Sequence, residues 1–261
     1  MPTKRLTTWE AGLSRTLGAQ ADWTCYCYDQ VSSTMDVARD LIPTLTSDSP
    51  SVVLARKQSA GRGRRGNAWE ATPGAFFATY IFSYAAPLPS VGSVALVAGC
   101  TLAQTLSACA CDVKLKWPND ILSSSGQKLG GILLEQVERK GLNFVLIGIG
   151  LNLLSAPAHL PEASSVFELS GQKHKVVDLA AKVSPALYKA WQVFLQDGFT
   201  SFKADWTECA LYLGKRLEVD TGSARLKGVF SGVNDKGHLQ LDVEGQQITI
   251  LSGHVTSVEA D

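Results

Sequence analysis

The stretch Gln58-Ser59-Ala60-Gly61-Arg62-Gly63-Arg64-Arg65-Gly66-Asn67-Ala68-Trp69 combines three glycines, three arginines and a tryptophan. The glycines let the backbone bend tightly and approach a ligand. The arginines offer planar donor forks suited to phosphate or carboxylate oxygens, and Trp69 offers a flat face for a base. Gly61-x-Gly63-x-x-Gly66 has the letters of a dinucleotide fingerprint, but Trp69 and a Pro73-Gly74 turn follow where a helix is required. No GxxxxGK[ST] phosphate loop occurs. Taken alone, the stretch also fits an Arg-Gly RNA-binding segment or a solvated turn.

Three further groups invite a chemical reading. Lys114-Leu115-Lys116-Trp117-Pro118-Asn119-Asp120-Ile121 breaks an apolar strand pattern with a proline and two polar residues, as a bent strand aiming Asn119 and Asp120 at a ligand would. An Asx-type turn at a strand end reads equally from the same letters. Lys128-Leu129-Gly130-Gly131-Ile132-Leu133-Leu134-Glu135 opens an apolar strand with a lysine and clears space beside it with two glycines. Gly148-Ile149-Gly150-Leu151-Asn152 places glycines on alternate positions, so one strand face is bare. A flat ligand or a closely packed helix could occupy it.

The elements that must carry these groups follow from periodicity. A short helix is predicted around Trp9 to Leu17 and a strand from Cys25 to Asp29. Ser32-Ser33-Thr34 then caps a helix running to Leu41. Pro43 to Pro50 and Ala85 to Ser90 read as loop and turn, Ser51 to Arg56 and Gly74 to Phe82 as strands, and Val91 to Ala110 as a buried helix. Val113 to Leu122 and Lys128 to Val137 read as a hairpin pair joined by 123–127, followed by a strand from Asn143 to Leu154 and a helix from Val176 to Asp205. From Tyr212 onward, short strands alternate with Gly- and Asn-containing turns, the pattern of a small β-barrel. The fold class is therefore α+β: a mixed sheet packed with helices over residues 1–210, and a small C-terminal β-barrel over 211–261.

Composition narrows the function. Lys plus Arg and Asp plus Glu are both 24, so the net charge is zero, which argues against a protein that grips nucleic acid by its phosphates. No run reaches the ~20 apolar residues of a membrane span. Met1 to Glu10 carries no apolar run, so the six cysteines read as buried free thiols in a reducing compartment, with cytoplasm as the expected location. Their Cys-x-Cys spacing does not suit a zinc site.

Together and in this order, the four groups resemble the catalytic part of biotin–protein ligases. That family carries Gly-Arg-Gly-Arg-Arg-Gly, then Lys-Trp-Pro-Asn-Asp, Lys-Leu-x-Gly-Ile-Leu and Gly-x-Gly-x-Asn, and all four stand here nearly intact across residues 25–155. The resemblance implies a class II synthetase-like catalytic fold and an enzyme that adenylates biotin with ATP and Mg²⁺. It also implies transfer to a lysine of a biotin carboxyl carrier domain, with a homodimer as an option. Ser33 and Thr34 would bind biotin's ureido ring and Gln58 would belong to the biotin site, with Gly131, Gly148 and Gly150 as the bare wall. Gly61, Arg62 and Arg64 would belong to the loop closing over biotin and its adenylate. Trp69 would stack on adenine, and Lys116, Asn119, Asp120 and Asn152 would face ATP. Lys128 would contact both the carboxylate and the phosphate, and Asp120 would be a weak magnesium ligand and a conceivable base.

Met35 departs from the family's usual asparagine. About thirty residues precede Ser33, too few for the helix-turn-helix of bacterial relatives, so no DNA binding and no membrane association are expected. The competing readings are a lipoate–protein ligase or lipoyl/octanoyl transferase of related fold, a nucleic-acid-binding module built on the arginines, and a non-catalytic biotin-binding regulator.

Overall fold

The computed structural model describes residues 5–18, 21–45, 49–70, 72–85, 88 and 90–259. In chain order the first elements are α1 (Thr7–Leu17), β1 (Thr24–Val31), α2 (Thr34–Leu41), β2 (Ser51–Gln58), β3 (Phe76–Tyr84) and α3 (Val91–Ser107). Next come β4 (Lys114–Lys116), β5 (Asp120–Leu122), β6 (Lys128–Arg139), β7 (Leu142–Leu151), α4 (Val166–Ser170), α5 (Val176–Asp197) and α6 (Lys203–Cys209). The chain finishes with β8 (Arg216–Asp220), β9 (Arg225–Val233), β10 (Leu239–Val243), β11 (Gln246–Ile250) and β12 (His254–Val258). Parts of the loop and turn expected at 43–50 and 85–90 lie outside the described residues.

Seven strands form one mixed sheet in the order β1-β2-β3-β7-β6-β5-β4. Only β1 and β2 run parallel, and α2 joins them. Because side chains alternate across a strand, β3 serves both faces. Phe76, Tyr80 and Phe82 join the larger core with Trp23 and Trp191, while Ile81 joins Met35, Val37 and Leu146 under α2. The α2 helix starts where Ser33 Oγ accepts the Met35 N–H at 3.2 Å, the N-cap read from Ser32-Ser33-Thr34.

Two elements differ from the sequence reading. The strand expected over 113–122 is two short strands, β4 and β5, folded back on each other with Lys116 opposite Asp120. Trp117, Pro118 and Asn119 make the turn. Pro118 has no N–H to give a ladder, and that is why an apolar run which looks continuous stops there. The helix expected over 176–205 is likewise divided. It ends at Gly198, whose φ of 68° is open to glycine, and resumes as α6 after a 3-10 turn.

The C-terminal β-unit is a five-stranded antiparallel sheet in the order β11-β10-β9-β8-β12. It sits against the larger unit through Trp206 and Phe230, whose rings meet edge to face at 6.3 Å. The Trp117 indole N–H donates to Gly237 O at 3.1 Å, so the turn that carries Asn119 is held from the C-terminal sheet. Among the described residues no helix is long and apolar enough to cross a membrane.

Candidate active site

The Gly-Arg stretch is a tight hairpin. Trp69 N–H donates to Gly61 O at 2.8 Å, Gly63 N–H donates to Asn67 O at 2.7 Å, and Arg62 bridges to Ala68. A Cβ at Gly61 would stand 2.5 Å from Trp69 O, so only glycine lets the two arms close. Arg65 takes the tip of the turn with φ 56°.

The three arginines point to three different partners. Arg62 pairs with Asp36 on α2 at 2.6 Å and with Glu135 on β6 at 3.4 Å, and Arg39 pairs with the same Glu135. Arg65 reaches Asp220 on β8 at 3.5 Å. Arg64 Nη1 donates to Asn119 Oδ1 at 3.1 Å, while Asn119 Nδ2 is anchored on Ile132 O at 2.9 Å. Burial pulls the Arg64 guanidinium below its ordinary value. Asp120 opposes that shift and Arg65 adds to it. The group stays charged at any working pH.

Beyond Arg64 lies a cavity of about 390 Å³, within the range of small-molecule sites. At its closed end, Thr34 N–H and hydroxyl both donate to Gln58 Oε1, at 2.7 and 3.1 Å, and Thr79 hydroxyl donates to Thr34 Oγ1 at 2.9 Å. Ser33 lies beside them, buried. At its centre, Lys128 Nζ donates to Asp120 Oδ1 at 2.6 Å and stands 5.9 Å from the Trp69 ring centroid. Asp120 and Gly131 are ladder partners, as are Gly131 and Gly150. This register stacks the polar turn, the lysine strand and the glycine strand side by side.

The glycines of β7 do leave room, and side chains use it. A Cβ on Gly148 would meet Met35 Sδ at 2.7 Å, and one on Gly150 would meet Trp69 Cε2 at 2.8 Å. Met35, the departure from the family pattern, is therefore a buried wall of the cavity.

Most of the residues predicted as site residues line this cavity: Ser33, Thr34, Gln58, Arg62, Arg64 and Trp69 from the first half, then Asn119, Asp120, Lys128, Gly131, Gly148 and Gly150. Three do not. Gly61 shapes the hairpin. Lys116 sits on β4 outside the lining, although its charge is coupled to the site. Burial pushes its ammonium down, Asp120 resists that and Lys128 adds to it. Asn152 is buried and donates to Ser164 O at 3.1 Å, which fastens the loop after β7. Asp220 and His254, by contrast, line the cavity from the C-terminal sheet. No local motif marks them, since only the packing of the two sheets brings β8 and β12 to this point.

A family model described as the biotin/lipoate A/B protein ligase family matches residues 27–152. A biotin–[acetyl-CoA-carboxylase] ligase of Paracoccus denitrificans is 35% identical over 223 residues, covering 81% of this chain and 91% of that one. The chain belongs to the biotin–protein ligase family. A second such ligase, from Mycobacterium tuberculosis, is 30% identical over 92% of this chain and 91% of its own length. The biotin protein ligase of Aquifex aeolicus, solved in complex with biotin and ATP, superposes with a TM-score of 0.76 at 25% identity, covering 91% of this chain and 99% of that one.

Proposed function

We propose that this family member condenses biotin with ATP to biotinyl-5′-AMP, releases pyrophosphate, and passes the biotinyl group to a lysine on the carrier domain of a biotin-dependent carboxylase. One observation carries the reading. A hydrogen-bonding cluster (buried Ser33 and Thr34 with half-buried Gln58) and a cationic pair (Arg64, Lys128) line a single cavity. Biotin has the matching polarity, with a ureido ring at one end and a carboxylate at the other.

The same cluster supports biotin over lipoate. A dithiolane ring carries no strong hydrogen-bonding group, and buried polar side chains left unmatched discriminate strongly against such a ligand. In this reading Ser33, Thr34 and Gln58 hold the ring, and Gly131 and Gly148 leave space for the tail. Trp69, lying over Gly150, offers its free surface to the nucleotide base.

Carboxylate and triphosphate repel each other, and Arg64 and Lys128 offset that repulsion where the carboxylate attacks the α-phosphorus. Fixed cations aimed at developing charge commonly supply several kcal/mol of transition-state stabilisation, with a single donor worth about 3 kcal/mol. Asn119 holds Arg64 in position, and Asp120 does the same for Lys128. The Gly-Arg hairpin covers the mixed anhydride and keeps water from it.

Asp120 is not placed to hold a resident metal ion. Its nearest partner is an ammonium at 2.6 Å, and the described residues contain no group of three potential ligands. Mg²⁺ belongs to this reading as a companion of the nucleotide substrate. The cytoplasm, where carboxylase carriers meet ATP, is the location it fits.

The test is pyrophosphate release from ATP and Mg²⁺ with either biotin or lipoate as the acid and no acceptor protein. Release with biotin supports the reading. Release with lipoate alone would overturn the ring-site assignment, and release with neither acid from a folded sample would overturn the adenylation reading.

A further inference from the structure

Transfer of the acyl group needs something the adenylation step does not: a proton acceptor. The incoming lysine arrives as an ammonium and must become an amine before it can attack. It enters a cavity already lined by Arg62, Arg64, Arg65 and Lys128, and a second ammonium there is destabilised by like charge. The proton needs a nearby neutral or anionic group that is free to take it.

The cavity offers three candidates. Asp120 is bonded to Lys128 at 2.6 Å, the very cation proposed to hold the reacting carboxylate. Asp220 accepts the Gly222 N–H at 2.7 Å and pairs with Arg65 at 3.5 Å. Both carboxylates are thus committed to donors. The third is His254, an exposed residue at the start of β12 that lines the same cavity. It is the ladder partner of Asp220 across β8 and β12, so the two side chains project on the same face of the sheet, toward the Gly-Arg hairpin.

We infer that His254 is a catalytic residue of the transfer half-reaction, taking the proton from the acceptor lysine at the mouth of the cavity. This rests on the ligase reading above. One ammonium proton passes to an unprotonated ring nitrogen of His254. The amine lone pair then forms the C–N bond to the acyl carbon. The C–O bond to the phosphate breaks, AMP leaves with that electron pair, and the second nitrogen-bound proton goes to the departing phosphate. The histidine afterwards releases its proton to solvent. No oxidant or further co-reactant is involved.

The groups facing His254 shift its ring toward the neutral form, although the residue is largely exposed. Burial lowers its pKa first, Lys116 next, and Arg65 and Lys128 further, against the opposing charge of Asp120. Its ladder partner Asp220 is engaged by Arg65. Imidazole is also the side chain whose ordinary range lies nearest neutral pH, where a general base is most effective.

The experiment separates the two half-reactions on the uncut chain. Pyrophosphate release with biotin and no acceptor reports adenylation. Single-turnover transfer from preformed biotinyl-5′-AMP to a carboxyl carrier domain reports the second step. For His254→Gln we expect transfer slowed about 10²-fold, the usual contribution of a positioned base, and a far smaller change in adenylation. The wild-type transfer rate should fall on the acid side, with a midpoint below the ordinary histidine value, and the variant should lose that limb. Equal loss in both steps, or transfer unaltered in rate and pH profile, would overturn the proposal. Wild-type protein that fails to release pyrophosphate with biotin would instead overturn the ligase reading, so the two failures are distinct.

Discussion

At the closed end of the cavity, Thr34 and Thr79 are almost wholly buried; Thr34 donates twice to Gln58 at 2.7 and 3.1 Å, and Thr79 donates to Thr34 at 2.9 Å. At the open end, Arg62 and Arg65 hold the Gly-Arg hairpin through ion pairs to Asp36 and Asp220 in which each arginine is more than a third exposed. The physics of the two ends differs. A buried hydrogen bond is costly to break because it leaves a desolvated group unpaired. An exposed ion pair is worth about 1 kcal/mol or less, since water and salt replace it readily. The closed end is therefore held by bonds that are costly to lose, and the hairpin end by pairs that water and salt replace readily.

The sharpest way to break this contrast is to remove charge at the junction between the two ends. Arg64→Ala and Lys128→Ala should each lower adenylation by about 10²- to 10³-fold. Melting temperature should be close to wild type, because neither side chain is part of the core. A fully active, folded Arg64→Ala protein would remove the hairpin from the mechanism. The next effect belongs to the closed end. Gln58→Ala leaves Thr34 without its acceptor, and the KM for biotin should rise about tenfold or more, with a smaller change in kcat. Smaller still is the open end. Asp36→Asn removes one exposed partner of Arg62, and kcat/KM should fall no more than about fivefold, a loss that added salt mimics in the wild type. Should Asp36→Asn cost as much as Gln58→Ala, the two ends are not different in kind. The smallest effect concerns the thiols. Burial pushes Cys27 up to about 12, and no cysteine is among the residues that line the cavity, so alkylating agents at pH 8 should leave adenylation unchanged, as activity assays before and after treatment would report.

Much of this was legible in the chain because motif and register coincide. The β6 and β7 glycines align Gly131 with Gly150, and the same ladder brings Asp120 next to Gly131, so residues read as separate groups meet in one cavity. What the letters could not show is where a run stops being regular. Residues 113–122 are apolar enough for one strand, yet Pro118 forces a turn within them. The helix after Val176 has no visible break until Gly198 is seen at positive φ. Bare glycines were equally ambiguous. They signal vacant space without saying what fills it, and here Met35 and Trp69 do. Asn152 lay within a recognisable motif but spends its amide on Ser164. Asp220 and His254 lay in no motif, and long-range packing alone assigns them to the cavity.

The change of pattern near Tyr212 suggests a boundary, but the apolar core does not divide there. Phe76 and Tyr80 of the large sheet belong to the same continuous cluster as Phe230, Leu239 and Leu241 of the small one. Thermal unfolding should accordingly be a single cooperative transition, with equal calorimetric and van't Hoff enthalpies. A chain cut after residue 210 would lose more than the strands removed. It would strip the partners from Trp206 and Trp117, and with them the support under the turn that holds Asn119.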